Sequence, residues 1–229
     1  MYIVNEIHEE TSKAEKPSLV GMIWSPGEQF ANMRSNPKVW LPLIVVTVLS
    51  LIGGWLMVIG PGFEEQFATT ELEGENIDGI ILFSKITTVV FSAIGPILGI
   101  LFSSFIFWLI NKATSSEATF KQFFSMNSYI GFISAIGLVL NGILLALLGG
   151  SPGKLYTSLG ALVNSESSVG AFLNGIEIFG VWTIILTAIG LRVTARWPKG
   201  LAWTIAIIFL VFTIGAAAVG SMMNNMSGM

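Results

Sequence analysis

The sequence predicts an all-α fold: a polytopic membrane bundle of five transmembrane helices with short interfacial helices, N-terminus inside and C-terminus outside. Three observations lead there. Only 11% of residues are charged while 53% are hydrophobic, whereas a soluble domain carries about 25% charged residues. The apolar residues gather in five runs, at 39–60, 86–110, 128–148, 173–191 and 201–222. Each is near the roughly 20 residues that a helix needs to cross about 30 Å of hydrocarbon. The lysines and arginines then divide nine to two between the alternate connections, which puts the richer side in the cytoplasm. The runs are too long and too uniformly apolar for barrel strands, and unpaired backbone in lipid leaves only helices.

The elements follow in order. Residues 1–18 include "NEIHEETSKAEKPS", which is polar and acidic and lacks the apolar core of a signal peptide. They are expected to form a mobile cytoplasmic tail in which His8 is solvated. Residues 19–37 are expected to form an interfacial helix. Ser25 is its N-cap, Pro26 its first residue, and Glu28 the far half of a capping box. Phe30 and Met33 share a face, Pro37 ends the helix, and Trp24 and Trp40 flank it as interfacial anchors. So short a helix is marginal alone. It is expected to lie on the cytoplasmic leaflet or against the cytoplasmic ends of other spans. Residues 38–229 then make up the membrane domain.

The first outer connection, 61–84, carries Glu64, Glu65, Glu71, Glu73, Glu75 and Asp78. It lacks the ligand spacing of a calcium loop and reads as a solvated acidic loop. In the second span, "GPILG" places Gly95 and Gly99 one turn apart around Pro96. Small residues at this spacing let helices approach closely, and the proline is expected to kink the axis. "GAAAVG", 215–220, offers a similar surface in the last span. The cytoplasmic connection before the third span holds Phe120, Phe123 and Phe124, and is expected to form a second interfacial helix capped by Ser115 or Ser116. The connection before the last span combines Arg192, Arg196, Trp197 and Lys199, a pattern suited to anionic head groups or a docking partner.

Little in the chain points to chemistry. Cysteine is absent, which removes disulfides, thiol nucleophiles and thiolate metal sites. "GGSPG", 149–153, matches G-x-S-x-G in form, but it follows an apolar helix and has no histidine base near it, so it reads as a loop. Glu177 is the acidic residue of the predicted fourth span, Asn174 lies one turn before it, and Asn141 is in the third span. Intramembrane polar groups are candidates for function. Two readings stay open: a proton or ligand site in a small channel or transporter, or interhelical hydrogen bonds of about 0.6–2 kcal/mol. No catalytic, cofactor or metal residue can be named, and neither an enzyme nor a nucleic-acid binder is expected.

Three stretches carry a family resemblance: "WSPGEQFANMRSNPKVWLPL", "FKQFFSMNSYIGFISAIG", and "LNGIEIFGVWTIILTAIGLR" followed by "WPKGLAW". Together with the five-span order, they resemble the Yip family of five-span membrane proteins, in particular its small bacterial branch. The resemblance implies an accessory protein of the cell membrane that helps assemble or regulate an ABC-type exporter, with the permease and its adaptor as partners. It carries over no catalytic residue. The expected contacts are Trp24, Phe30, Phe123, Trp197 and the Gly95/Gly99 face. A second copy of the chain, and a role in binding or shaping the lipid bilayer, are the other expected associations.

Overall fold

The structure is a computed structural model that describes residues 15–68, 76–150, 154–163, 170 and 173–227, the last of these (216–227) as backbone. The expected mobile tail, His8, the acidic residues 71–75 and the end of "GGSPG" lie outside them. The principal helices are α1 (Gly21–Trp24), α2 (Pro26–Ser35), α3 (Trp40–Ile59), α4 (Gly62–Ala68), α5 (Ile77–Asn111), α6 (Phe120–Leu148), α7 (Ile178–Val193) and α8 (Lys199–Ser227). A short 3-10 turn, Leu159–Leu162, precedes α7. The described residues contain no strand, only an isolated bridge between Ser158 and Glu177. Three helices, α3, α5 and α6, are long and apolar enough to cross a membrane. At 1.5 Å rise per residue, the 20 residues of α3 match the hydrocarbon thickness. α7 and the Lys199–Gly215 part of α8 are shorter apolar helices.

α6 is the hub. It buries residues along its whole length, from Phe123 to Leu145, and touches α3, α5, α7 and the two pre-membrane helices. Glycine makes this possible. A Cβ on Gly142 would come within 2.9 Å of the Gly53 carbonyl and of Leu56, and one on Gly53 within 2.7 Å of Leu138. On the other side of α3, a Cβ on Gly54 would strike the Ser92 hydroxyl of α5 at 2.0 Å. Where α6 meets α7, Gly137 faces Phe179 and Gly190 faces Met126, each at 2.7 Å from where a Cβ would stand. These pairings run α3 alongside α6 in the same direction and set α7 antiparallel to it, and Ile100 against Gly131 with Ser104 against Asn127 sets α5 antiparallel too. The backbones approach closely because no side chain separates them, which is how helices gain contact where lipid offers no hydrophobic drive.

Several sequence expectations change. α2 has no capping box: Ser25 makes no side-chain cap bond to it. The preceding turn is already helical, so the Ser25 amide donates to Gly21 and its hydroxyl accepts from the Gln29 side chain at 3.3 Å. The capping box belongs instead to Thr119 and Gln122 at the start of α6. Neither Ser115 nor Ser116 caps a separate interfacial helix, because Phe120–Tyr129 forms the first turns of α6 itself. The acidic connection is not all loop: Glu64 and Glu65 sit in α4, Asp78 opens α5, and Lys85 pairs with Glu64. α5 runs continuously through Pro96. The fourth helix begins at Ile178 rather than Leu173, since Glu177 ends the preceding turn and caps it.

Replacing Gly142 with valine should lower the thermal unfolding midpoint of the purified protein in mild detergent, at an overpacking cost of about 1–3 kcal/mol. A substitution at Gly95, where a Cβ would meet nothing within 4 Å, should leave the midpoint unchanged in the same assay.

Candidate functional site

The three polar residues singled out in the apolar runs converge at one end of the bundle. Asn141, on α6 and 3% exposed, donates to the Thr157 hydroxyl at 2.7 Å and accepts from the Thr157 amide at 3.1 Å. The Thr157 hydroxyl in turn donates to Glu177 Oε1 at 2.5 Å. Glu177 Oε2 accepts from the Gly180 amide at 2.7 Å, capping α7. Asn174 stands beside this chain, its Oδ1 accepting from the Ser158 hydroxyl at 2.7 Å and from the Leu155 amide at 3.3 Å. Backbone bonds from Leu159 to Ile176 and from Ile178 to Thr157 close the clip. Glu177 is half-buried at a helix N-terminus, where the orphan amides and the dipole favour an anion. It precedes α7 rather than lying within it, and both of its oxygens serve the fold. Thr157 and Ser158, which tie the set together, carry no marker in the sequence, because they stand in an ordinary-looking loop.

At the opposite end a second set of bonds closes the bundle. The Trp197 indole donates to Asn111 Oδ1 at 2.8 Å, and the Asn111 amide donates to the carbonyls of Ser116 and Ala118, each at 3.1 Å. The Ser116 hydroxyl donates to the Ala195 carbonyl. Arg196 takes a left-handed backbone, φ 56°, which costs a non-glycine residue about 1–2 kcal/mol. That turn lets the Trp197 amide reach back to the Leu191 carbonyl at 3.1 Å. The pre-membrane helices are bolted down from the same side. Thr194 donates to Phe30 at 3.2 Å, Gln122 to Arg34 at 2.7 Å, Ser125 to Lys38 at 2.7 Å and Tyr129 to Pro17 at 2.9 Å, all at backbone carbonyls.

This bolting decides the fate of the expected partner contacts. Phe30 and Phe123 are fully buried and Trp197 is 3% exposed. They belong to one apolar cluster with Met22, Met33, Phe107, Met126, Tyr129, Leu186 and Leu191. The structure therefore corrects the reading of these three as a docking surface: they are the core. Of the two placements expected for the pre-membrane helix, it takes the one against the ends of other helices. Trp24 remains 81% exposed. Gly95 and Gly99 also remain open, and the close-approach role expected of "GPILG" falls inside the fold to Gly53, Gly54 and Gly142 instead. Among the described residues no group of three His, Cys, Asp or Glu side chains could hold a metal.

The helical architecture, its three spanning helices and the polar groups spent on holding helices together define an integral membrane protein. The chain belongs to the Yip1 domain family, whose model matches residues 20–221, so the pre-membrane helices are part of the family's domain. It is similar to the membrane protein YknW of Bacillus subtilis (strain 168), with 30% identity over 217 residues that cover 93% of this chain and 94% of that one. No solved structure matches it.

Truncating Asn111 to alanine should strand the buried Trp197 indole N–H and two carbonyls. An unmet buried group costs about 1–3 kcal/mol, so the unfolding midpoint should fall, and Trp197→Phe in the same background should restore part of the loss. Glu177→Ala should cost about 0.5–2 kcal/mol, as for other N-caps, read as the same shift in midpoint.

Proposed function

We propose that this protein is a non-enzymatic accessory protein of the cell membrane that binds an ABC-type exporter, permease and adaptor, and helps assemble or regulate it. The observation that carries the reading is the outer face of α5. The most apolar stretch of α5 is 17% buried, against 33% for α3 and 39% for α6. Gly95 and Gly99 sit open in the middle of it, with Phe91, Leu98 and Phe102 exposed around them. Two small residues one turn apart, rimmed by large apolar ones, form a shallow groove that another membrane helix can enter until backbones touch. The internal glycines show this chain using the same device within its own fold. The partner's identity comes from the family resemblance of the sequence.

The same proposal includes the full layout: five crossings, N-terminus inside, C-terminus outside, with α7 and α8 as the fourth and fifth spans. Its support is the charge distribution. Arg34 and Arg196 line one cavity and Lys16, Lys38 and Lys121 another at the Trp197 end of the bundle. At the far end, Lys85 pairs with Glu64, and Lys154 lies over Tyr156. Asn141, Asn174 and Glu177 bear on the rival reading of a small channel or transporter. Their bonds to Thr157, Ser158 and Gly180 already use the groups that a transported ion would need.

Changing both Gly95 and Gly99 to leucine should abolish co-purification of the exporter permease in mild detergent and leave the unfolding midpoint where it was. Recovery of the same partners with the double variant, or of no exporter component with the unaltered protein, defeats the proposal.

A further inference from the structure

We infer that the elbow between the pre-membrane helices and α3 is a binding site for an anionic phospholipid. A cavity of about 610 Å³ opens there, lined by Lys16, Pro17, Pro37, Lys38, Val39, Trp40, Leu41, Lys121, Phe124 and Tyr129. Its volume falls in the range of about 300–1,000 Å³ usual for small-molecule sites. Three lysines from three separate segments converge on it: Lys16 from the segment leading to α1, Lys38 from the link before α3, and Lys121 from the first turn of α6. Among the described residues no carboxylate lines it, and none of the three lysines forms an ion pair there, where Lys85–Glu64 is the pair found. Three like charges gathered with no counter-charge among the described lining residues repel one another and favour an anion between them.

The wall supporting each charge is fixed. Tyr129 donates to the Pro17 carbonyl and Ser125 to the Lys38 carbonyl, at 2.9 Å and 2.7 Å, so the backbones carrying Lys16 and Lys38 are held on α6, which carries Lys121. The rest of the lining decides between a free phosphate and a lipid. Val39, Trp40, Leu41 and Phe124 give inorganic phosphate nothing to bind, but they suit the glycerol and upper acyl chain of a phospholipid. Trp40 and Leu41 are 77% and 62% exposed at the first turn of a membrane-length helix, the level at which indole rings meet head groups. Phosphate among the lysines and acyl chain along Trp40 and Leu41 is one continuous path from water to hydrocarbon.

The test is native mass spectrometry of the full chain in mild detergent, with dioleoylphosphatidylglycerol or dioleoylphosphatidylcholine added. The unaltered protein should retain phosphatidylglycerol in preference to phosphatidylcholine. A lysine near an anionic surface contributes roughly fivefold in affinity. Lys16→Gln, Lys38→Gln and Lys121→Gln combined should therefore lower phosphatidylglycerol retention by more than about tenfold. The matched triple variant Lys112→Gln, Lys154→Gln, Lys199→Gln should keep it. The altered lysines are exposed except Lys154, which is half-buried over Tyr156, and an unchanged unfolding midpoint confirms that both variants fold. Equal retention by the two triple variants overturns the inference, as does equal retention of the two lipids by the unaltered protein. Displacement of phosphatidylglycerol by millimolar inorganic phosphate alone would assign the site to free phosphate and overturn it too.

Discussion

The bundle depends on one docking event: the pre-membrane helix inserts Phe30 and Met33 into the end of the helical core. Both side chains are fully buried, among Phe123 and Met126 of α6, Leu186 and Leu191 of α7, and Trp197 of the last connection. Burying side chains of this kind gains about 1.5–3 kcal/mol each, which a helix of 10 residues cannot match by its own propensity. The helix exists because it is docked, and α6 and α7 are spaced as they are because it fills the gap between them. Gly190 shows how tight the fit is, since a Cβ there would stand 2.7 Å from Met126 and 3.1 Å from Phe30. The hydrogen bonds from Thr194, Gln122, Ser125 and Tyr129 then satisfy carbonyls that docking removes from water. Such groups are costly when left unmet.

The parts of the fold that depend on composition were legible in the sequence. Apolar runs of membrane length lie in helices, the all-α class holds, and the family resemblance is shown. What could not be read depends on which way a side chain faces. Phe30, Phe123 and Trp197 looked like interfacial aromatics because each lies beside polar or charged residues, yet their rings turn inward. Gly95 and Gly53 are alike on paper, but one meets open space and the other Leu138. Glu177 looked intramembrane because apolar residues follow it, but a carboxylate at that spot is a helix cap. Ser25 and Glu28 had the spacing of a capping box, but the spacing is insufficient when the residues before Ser25 are already helical.

The polar residues show a consistent economy. Asn141, Asn111, Asn127 and Gln122 each bridge two segments: α6 to the Thr157 loop, α5 to the Ser116 turn and Trp197, α6 to Ser103 and Ser104, and α6 to the end of α2. Membranes penalise unsatisfied polar atoms heavily. A side-chain amide, with donors and acceptor both available, is well suited to join a helix to an irregular segment or, as Asn127 does, to a second helix. Polar groups are thus placed between helices or where helix ends meet connections, and the outer faces of α3 and α5 are left apolar for lipid or for other helices.

The docked helix also has a temporal meaning. Thr194 and Phe30 touch across 164 positions of sequence, and the socket for Phe30 is shared by α6, α7 and the Trp197 turn. On a ribosome, residues 21–35 emerge well before the residues that seat them, and their seat is finished only after Trp197 has followed. That segment must therefore wait, unseated, while the 164 positions between Phe30 and Thr194 are made. Its seating marks the moment at which translation has delivered a completable socket, and a chain cut short before Trp197 is left with residues 21–35 exposed.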